Sequence, residues 1–264
     1  MNDDEAFTRV PFPRERRLVL DTLRLGRKKP MMHAFLEVDV TRARQRLDAH
    51  KARAGERVSF TAYVLACVGR AVHAHPEVHA LRDLFGRLVM FEAVDATAIV
   101  EVEVEGRRFA LAHVLRAVHA RSVRELHEEL RGVQGTGLGG KRRGTRAFLL
   151  LPAVLRRLVY RVLLASPARA KRLTGTLLVS SVGMFGAGGA GWGVSAPGLH
   201  DLSLLIGSVA SRYGPDGDVR EVLCLTVSAN HEVVDGAPLA RFAKTLVRGL
   251  ESADLLDVLD EGGD

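Results

Sequence analysis

The sequence predicts a single α/β domain built on a mixed sheet, and three observations carry that expectation. Segments of strand-like alternation are interleaved with segments whose apolar residues recur at helical spacing, a pattern that points to one sheet with helices packed on it. The 264 residues fit one large domain or two small ones. The composition, 47% hydrophobic and 26% charged, is that of an ordinary globular chain and excludes wholesale disorder. No internal repeat of the solenoid type is visible.

Residues 1–9 read as a loose, acidic arm. Leu18, Val19 and Leu23 lie among charges over 16–25, a short helix that the Lys28-Lys29-Pro30 break ends. Residues 31–40 alternate Ala34, Leu36, Val38 and Val40 with Phe35, Glu37 and Asp39, a strand. Thr41 is placed to cap a helix to about residue 54, its hydroxyl facing the free amides of the first turn. Ser59 opens a second helix that carries Tyr63, Leu65, Val68 and Val72 to the His75-Pro76 corner. Residues 87–91 and 95–104 read as strands, and Ser122 caps an amphipathic helix ending near Arg131. A basic, glycine-rich loop at 135–144 leads into the apolar stretch 147–165. There Val154, Leu155, Leu158, Val159 and Val162 keep helical spacing beside Arg157 and Arg161, so the stretch reads as an amphipathic basic helix. Strands follow at 175–182, 203–211 and 221–229, then a helix at 238–250 with Leu239, Phe242, Leu246 and Leu250 on one face. The acidic tail 251–264 is expected to fray.

Charge and cysteine content narrow the function classes. The net charge of +7 comes almost entirely from arginine, since lysine occurs only at 28, 29, 51, 141, 171 and 244. Such a surplus suits either a phosphate-bearing partner, nucleic acid or phosphorylated cofactor, or an arginine-rich composition with solvated side chains. Charge alone does not choose between them. Cys67 and Cys224 stand far apart with no Cys-x-x-Cys pattern, which excludes a disulfide framework and a cysteine zinc site and suits a reducing cytosol. Pro152, Arg156, Arg157 and Arg161 interrupt the apolar stretch, so a bilayer span is not expected, and the acidic N-terminus lacks a signal-peptide core. A soluble, cytoplasmic protein is the expectation.

Candidate chemistry lies in two segments. Asn230-His231-Glu232-Val233-Val234-Asp235-Gly236 follows an apolar strand, so His231 should emerge at a strand end, where an imidazole can act as a general base. Asp235-Gly236 is a turn signal, and Asp235 is placed to cap the next helix. The second segment is the strand 178–182 with Ser180 and Ser181, followed by the glycines 183, 186, 188, 189 and 191. A strand-end hydroxyl can donate to a developing oxyanion. The glycines match neither the phosphate-loop pattern nor a dinucleotide fingerprint.

Together these segments resemble the catalytic domain of the acyltransferase component of 2-oxoacid dehydrogenase complexes, which shares its fold with chloramphenicol acetyltransferase. LTVSANHEVVDGAPLARFAKTLVRGL at 225–250 resembles the family's C-terminal signature, and GTLLVSSVGMF at 175–185 resembles its oxyanion-serine segment. Val38-Asp39-Val40-Thr41 resembles its first strand and helix, and 59–77 its second helix with the His-Pro-Glu corner. The resemblance spans about residues 10–250 and implies a chloramphenicol acetyltransferase-like two-layer fold, a mixed sheet with helices packed on it.

The resemblance also implies roles. His231 would be the general base, Ser180 rather than Ser181 the oxyanion donor, and Asp235 a structural partner of an N-terminal arginine. Arg16 is the first candidate for that arginine and Arg17 the second, with Gly236 supporting the turn. The implied reaction is acyl transfer between an acyl-CoA thioester and a thiol, hydroxyl or amine acceptor. Coenzyme A is then a substrate, and no metal is implied. The implied assembly is a homotrimer whose sites lie between subunits. The chain also departs from the family. It carries no lipoyl domain and no Asp-Lys-Ala lipoylation site, Asn230 and Glu232 replace the usual Asp and Arg, and 147–165 looks like an insertion. The acceptor is therefore open between a lipoyl-type group and another small molecule, and the inserted segment is a candidate wall for an apolar pocket. Two alternatives remain at this level. One is a non-catalytic scaffold or carrier-binding module of the same fold. The other is a basic protein binding membrane or nucleic acid through Lys141-Arg142-Arg143 and the arginines of the 147–165 helix.

Overall fold

The structure is a computed structural model, and it describes residues 8–13, 16–104, 107–136, 148–183, 189–257 and 259. A six-stranded sheet is its frame. The strands are β1 (Met31–Asp39), β4 (Ala96–Val104), β5 (Arg107–Leu115), β6 (Leu177–Ser181), β7 (Leu202–Tyr213) and β8 (Val219–Asn230), in the order β1-β8-β7-β6-β4-β5. β6 runs parallel to both β4 and β7, while all other pairs are antiparallel. The sheet is therefore mixed, as expected.

One face of the sheet carries the core. Leu223, Leu225, Val227 and Ala229 of β8, Leu202, Leu204 and Ile206 of β7, and Leu177 and Val179 of β6 are buried there. Against them pack α2 (Thr41–Ala54), α3 (Phe60–Ala74), α4 (Val123–Thr136) and α7 (Gly236–Ser252). α3 is buried on almost every side, which explains its apolar sequence from Ala62 to Val72. The opposite face presents Cys224, Thr226, Ser228 and Asn230 of β8, buried beneath the chain at 189–201. That chain lies close: a Cβ on Gly207 of β7 would come within 2.3 Å of the Gly191 carbonyl.

Several boundaries differ from the sequence reading. β5 was not anticipated: Ala110, Leu111, Ala112, Val114 and Leu115 put apolar residues on both of its faces, so it lacks the polar-apolar alternation of β1. The segment 87–91 forms only β3 (Leu88–Val89), paired with β2 (Leu81–Arg82) in a ribbon apart from the main sheet. The stretch 147–165 is not one helix. α5 (Ala153–Leu164) begins only after Pro152, and the separate α6 (Pro167–Thr174) follows, with Pro167 in its first turn. Thr41 does not cap α2. Its hydroxyl donates to Asp39 Oδ1 at 2.6 Å and accepts the Glu221 N–H at 2.8 Å, tying the helix start to β8. Ser122 does form a cap: its hydroxyl accepts the Glu125 N–H, and its own N–H donates to Glu125 Oε2.

The tail does not fray directly after α7. Residues Asp254–Leu256 form a 3-10 turn, and Leu256 and Leu259 are buried in the core. Arginines of α2 hold it there, Arg46 on the Ala253 carbonyl at 3.2 Å and Arg53 on the Leu259 carbonyl at 3.1 Å. The sequence reading saw only acidic residues, whereas two leucines and two basic partners decide the packing.

Candidate functional site

β8 delivers His231 to one end of the sheet. At Asn230 the strand closes into a turn whose carbonyl accepts the N–H groups of Val233 and Val234 at 3.0 and 3.1 Å. The His231 N–H donates to the Pro30 carbonyl at 2.8 Å, joining this turn to the entry of β1. Asn230 itself is 4% exposed, a buried amide that needs partners and has them. Its Nδ2 donates to Asp201 Oδ1 at 2.8 Å, and its Oδ1 accepts the Glu232 N–H at 3.1 Å. Lys29 Nζ sits 3.0 Å from the same Asp201 oxygen and donates to the Leu199 carbonyl at 2.7 Å. The peptide carrying His231 is thus fixed by a chain of contacts from Lys29 through Asp201 to Asn230.

The imidazole is half-exposed beyond this scaffold, and its Nδ1 lies 3.4 Å from Asp235 Oδ1. A carboxylate at that distance favours the proton on Nδ1 and leaves Nε2 with its lone pair. Asp235 stands at the N-cap position of α7, yet its side chain makes no capping hydrogen bond and turns to the histidine instead. Gly236 opens α7, and a Cβ there would meet nothing within 4 Å. Arg16 lies in the first turn of α1 (Arg16–Gly26) and shares no ion pair with Asp235 among the described residues. Glu232, on the far side of the turn, lies 3.5 Å from Arg82.

Ser180 lies elsewhere on the same sheet. It is the fourth residue of β6, half-buried, on the face opposite Leu177 and Val179. Its hydroxyl has no hydrogen-bond partner among the described residues. Gly175 starts this segment with φ +66° and with the Asp95 carbonyl only 2.6 Å from where a Cβ would stand, so this position needs glycine. Thr176 then anchors the strand: its hydroxyl lies 2.8 Å from Nδ1 of the fully buried His79, whose Nε2 meets the Phe91 carbonyl at 3.1 Å. Burial pushes the His79 imidazole down to about 4. Asp95, beneath the same segment, is paired with Lys171 at 2.6 Å and Arg116 at 2.8 Å. Burial works to raise its carboxyl, but hydrogen bonds from Lys171, the Ala117 N–H and Arg116 outweigh it and hold the group below the usual carboxylate range.

The register fixes how far the two candidate residues stand apart. Ser180 pairs with Leu205, and Leu205 pairs with Thr226, so Ser180 is level with a point five residues before His231 and two strands away. At about 3.3 Å per residue and 4.8 Å per strand, the separation is roughly 15–20 Å. The structure therefore brings His231 and Asp235 together and leaves Ser180 out of their reach within one chain. Sequence reasoning did not find Lys29 and Asp201. Asn230, adjacent to the histidine and polar at the end of a buried strand, was the available signal.

Among the described residues, no group of three or more His, Cys, Asp or Glu side chains could hold a metal ion. Both cysteines are buried, and burial pushes the Cys67 thiol up to about 12. Lys141-Arg142-Arg143 and glycines 186 and 188 lie outside the described residues. No described helix is long and apolar enough to cross a membrane.

No protein-family model and no curated protein sequence matches the chain. Solved structures do. The cubic core of a pyruvate dehydrogenase multienzyme complex superposes with a TM-score of 0.71 at 19% identity, over 95% of this chain and 94% of that one. Azotobacter vinelandii dihydrolipoamide acetyltransferase gives 0.70 at 21% identity, over 96% and 94%. Its structure was determined in work on a serine, a histidine and an asparagine in its catalytic mechanism. A chloramphenicol acetyltransferase gives 0.53 at 20% identity, over 91% and 96%. The chain therefore has the chloramphenicol acetyltransferase-like fold. The first two neighbours are proteins of the kind that the two sequence motifs resemble, and the third shares their fold.

Proposed function

We propose that this protein is a CoA-dependent acyltransferase that works as a homotrimer, with each active site shared between two subunits. One observation carries the reading: a half-exposed histidine held at a strand end with a carboxylate beside Nδ1, and a serine, unpartnered among the described residues, too distant to serve it within the same chain. A general base must reach its proton within about 3 Å, and an oxyanion donor must stand as close to the reacting carbonyl. His231 and Ser180 meet that requirement together only if the serine comes from a neighbouring copy. The shared fold and the two motifs support the same arrangement.

In this reading His231 Nε2 takes the proton from the thiol, hydroxyl or amine of the acceptor. The acceptor atom attacks the thioester carbonyl, and Ser180 of the adjoining subunit donates to the oxygen that gains charge. The tetrahedral intermediate then collapses, the carbon–sulfur bond breaks, and the imidazolium returns its proton to the departing CoA thiolate. Asp235 beside Nδ1 steadies the imidazolium between these two transfers. Some of the chain's positive charge would meet the phosphates of CoA. The Lys29–Asp201–Asn230 contacts would keep the imidazole in position without touching substrate.

Mixing subunits tests the arrangement. His231→Ala and Ser180→Ala chains are each expected to be nearly inactive in thiol release from acyl-CoA plus acceptor. Co-expressed, they should regain a substantial fraction of wild-type activity, because some interfaces then carry both intact groups. Mixed assemblies that stay as inactive as the single variants would refute the shared site. Wild-type turnover matched by the His231→Ala chain would refute His231 as the base.

A further inference from the structure

Behind the histidine turn lies a cavity of about 500 Å³ that the acyl-transfer steps do not use. Asn230, Glu232 and Val233 form one wall, so the cavity adjoins the histidine loop, but His231 does not line it. Leu25 at the end of α1, Leu81 and Leu84 of the β2–β3 ribbon, and Leu164, Ala165 and Ala170 of α5 and α6 supply the apolar surface. A space of this size with mostly apolar walls and a few polar groups suits a small organic ligand.

The charged groups of the wall specify more. Lys29 is paired with Asp201 at 3.0 Å, and Arg82 with Glu232 at 3.5 Å. Arg161, in the last turn of α5, also lines the cavity and has no ion-pair or hydrogen-bond partner for its guanidinium among the described residues. One positive charge is thus left over beside an apolar hollow. His200, also in the wall, donates Nε2–H to the Thr174 carbonyl at 2.6 Å.

The wall that carries Arg161 is held firmly. α5 is tied to α1 by Arg156 and Asp21, 2.7 Å apart with side chains 5% and 2% exposed, and Arg156 also donates to the Leu151 carbonyl at 2.6 Å. Such a buried, doubly bonded pair fixes the helix relative to α1. The cavity is therefore built into the folded chain rather than waiting on a rearrangement.

We propose that this cavity binds an amphiphilic monoanion, an apolar chain ending in a carboxylate, with Arg161 as the charge partner and the leucines around the chain. Because binding is measured without turnover, the proposal stands or falls separately from acyl transfer.

Titration calorimetry on the full chain decides it, with octanoate as the probe and 1-octanol and acetate as comparisons. Octanoate is expected to bind saturably at one site per chain and at least tenfold more tightly than either comparison. Arg161→Glu should weaken octanoate binding at least tenfold, Arg161→Lys should retain most of it, and Leu164→Trp should abolish it by filling the cavity. Absence of saturable octanoate binding would overturn the proposal, as would equal affinity for octanol or unchanged affinity in Arg161→Glu. Arg161 is solvent-exposed, so its substitutions should leave the fold intact, and they decide the matter even if Leu164→Trp fails to fold.

Discussion

The histidine end of the sheet and the serine strand are built on opposite principles. Around His231 the turn is tied at several points: Pro30, Asp201 and the amides of 232–234 bind it, and Lys29 holds Asp201 from behind. At Ser180 the backbone pairs with Leu205 of β7, the ladder to β4 having ended at Val179, and the hydroxyl has no partner among the described residues. Over-determination at one residue and a bare hydroxyl at the other is what the proposed shared site would require. In that proposal the base would hold its orientation against solvent, whereas the oxyanion donor would stay free for a group that arrives from outside the chain.

Single substitutions should separate the two ends by size of effect. If His231 is the base as proposed, replacing it by alanine should cost about 10²–10⁴ in kcat. If Ser180 is the oxyanion donor as proposed, replacing it by alanine should cost about 10²–10³. Both chains should keep the wild-type far-ultraviolet circular dichroism. An equal and negligible loss at Ser180 would break the comparison.

Acid should act on the serine strand first. His79, which anchors β6 through Thr176, is neutral in the folded chain, with its imidazole pushed down to about 4 by burial. The unfolded chain takes up that proton near pH 6.5. Stability is therefore full above about pH 6.5 and falls as pH drops toward 4, by up to about 3 kcal/mol from this group. Urea denaturation at pH 7 and pH 5 should show the loss, and His79→Asn should be less stable at pH 7 but flatter with pH.

The smallest effect is expected at the scaffold behind the histidine. Asp201→Ala leaves the buried Asn230 amide and the Lys29 ammonium without their shared acceptor, a cost of about 1–3 kcal/mol in stability. Because Asp201 acts on His231 only through the backbone, kcat should fall while KM for the acyl donor stays near wild type. A change confined to KM would instead place Asp201 against the substrate.

Much of this arrangement was legible in the chain. The strand β1 announces itself by alternation, β7 and β8 by apolar runs, and α7 by Leu239, Phe242, Leu246 and Leu250, because those patterns are local. The His-x-x-x-Asp-Gly turn was equally visible, since strand, turn and helix follow one another directly. β5 was hidden because both of its alternating rows are apolar, Leu111 and Leu115 on one and Ala110, Ala112 and Val114 on the other, so no polar-apolar period marks it. The tail was misjudged because its acidic residues are conspicuous, while Leu256, Leu259 and the arginines of α2 that receive them are far apart in sequence.

The sequence by itself determined that this is an α/β chain with a histidine at the end of a buried strand and a serine in another strand. Only the tertiary structure decided that the two stand roughly 15–20 Å apart. It also placed Lys29 and Asp201 under the histidine turn and left Arg161 beside a cavity. The reason is the strand order β1-β8-β7-β6-β4-β5: which strands become neighbours, and in which register, is settled by long-range pairing and burial rather than by any local segment.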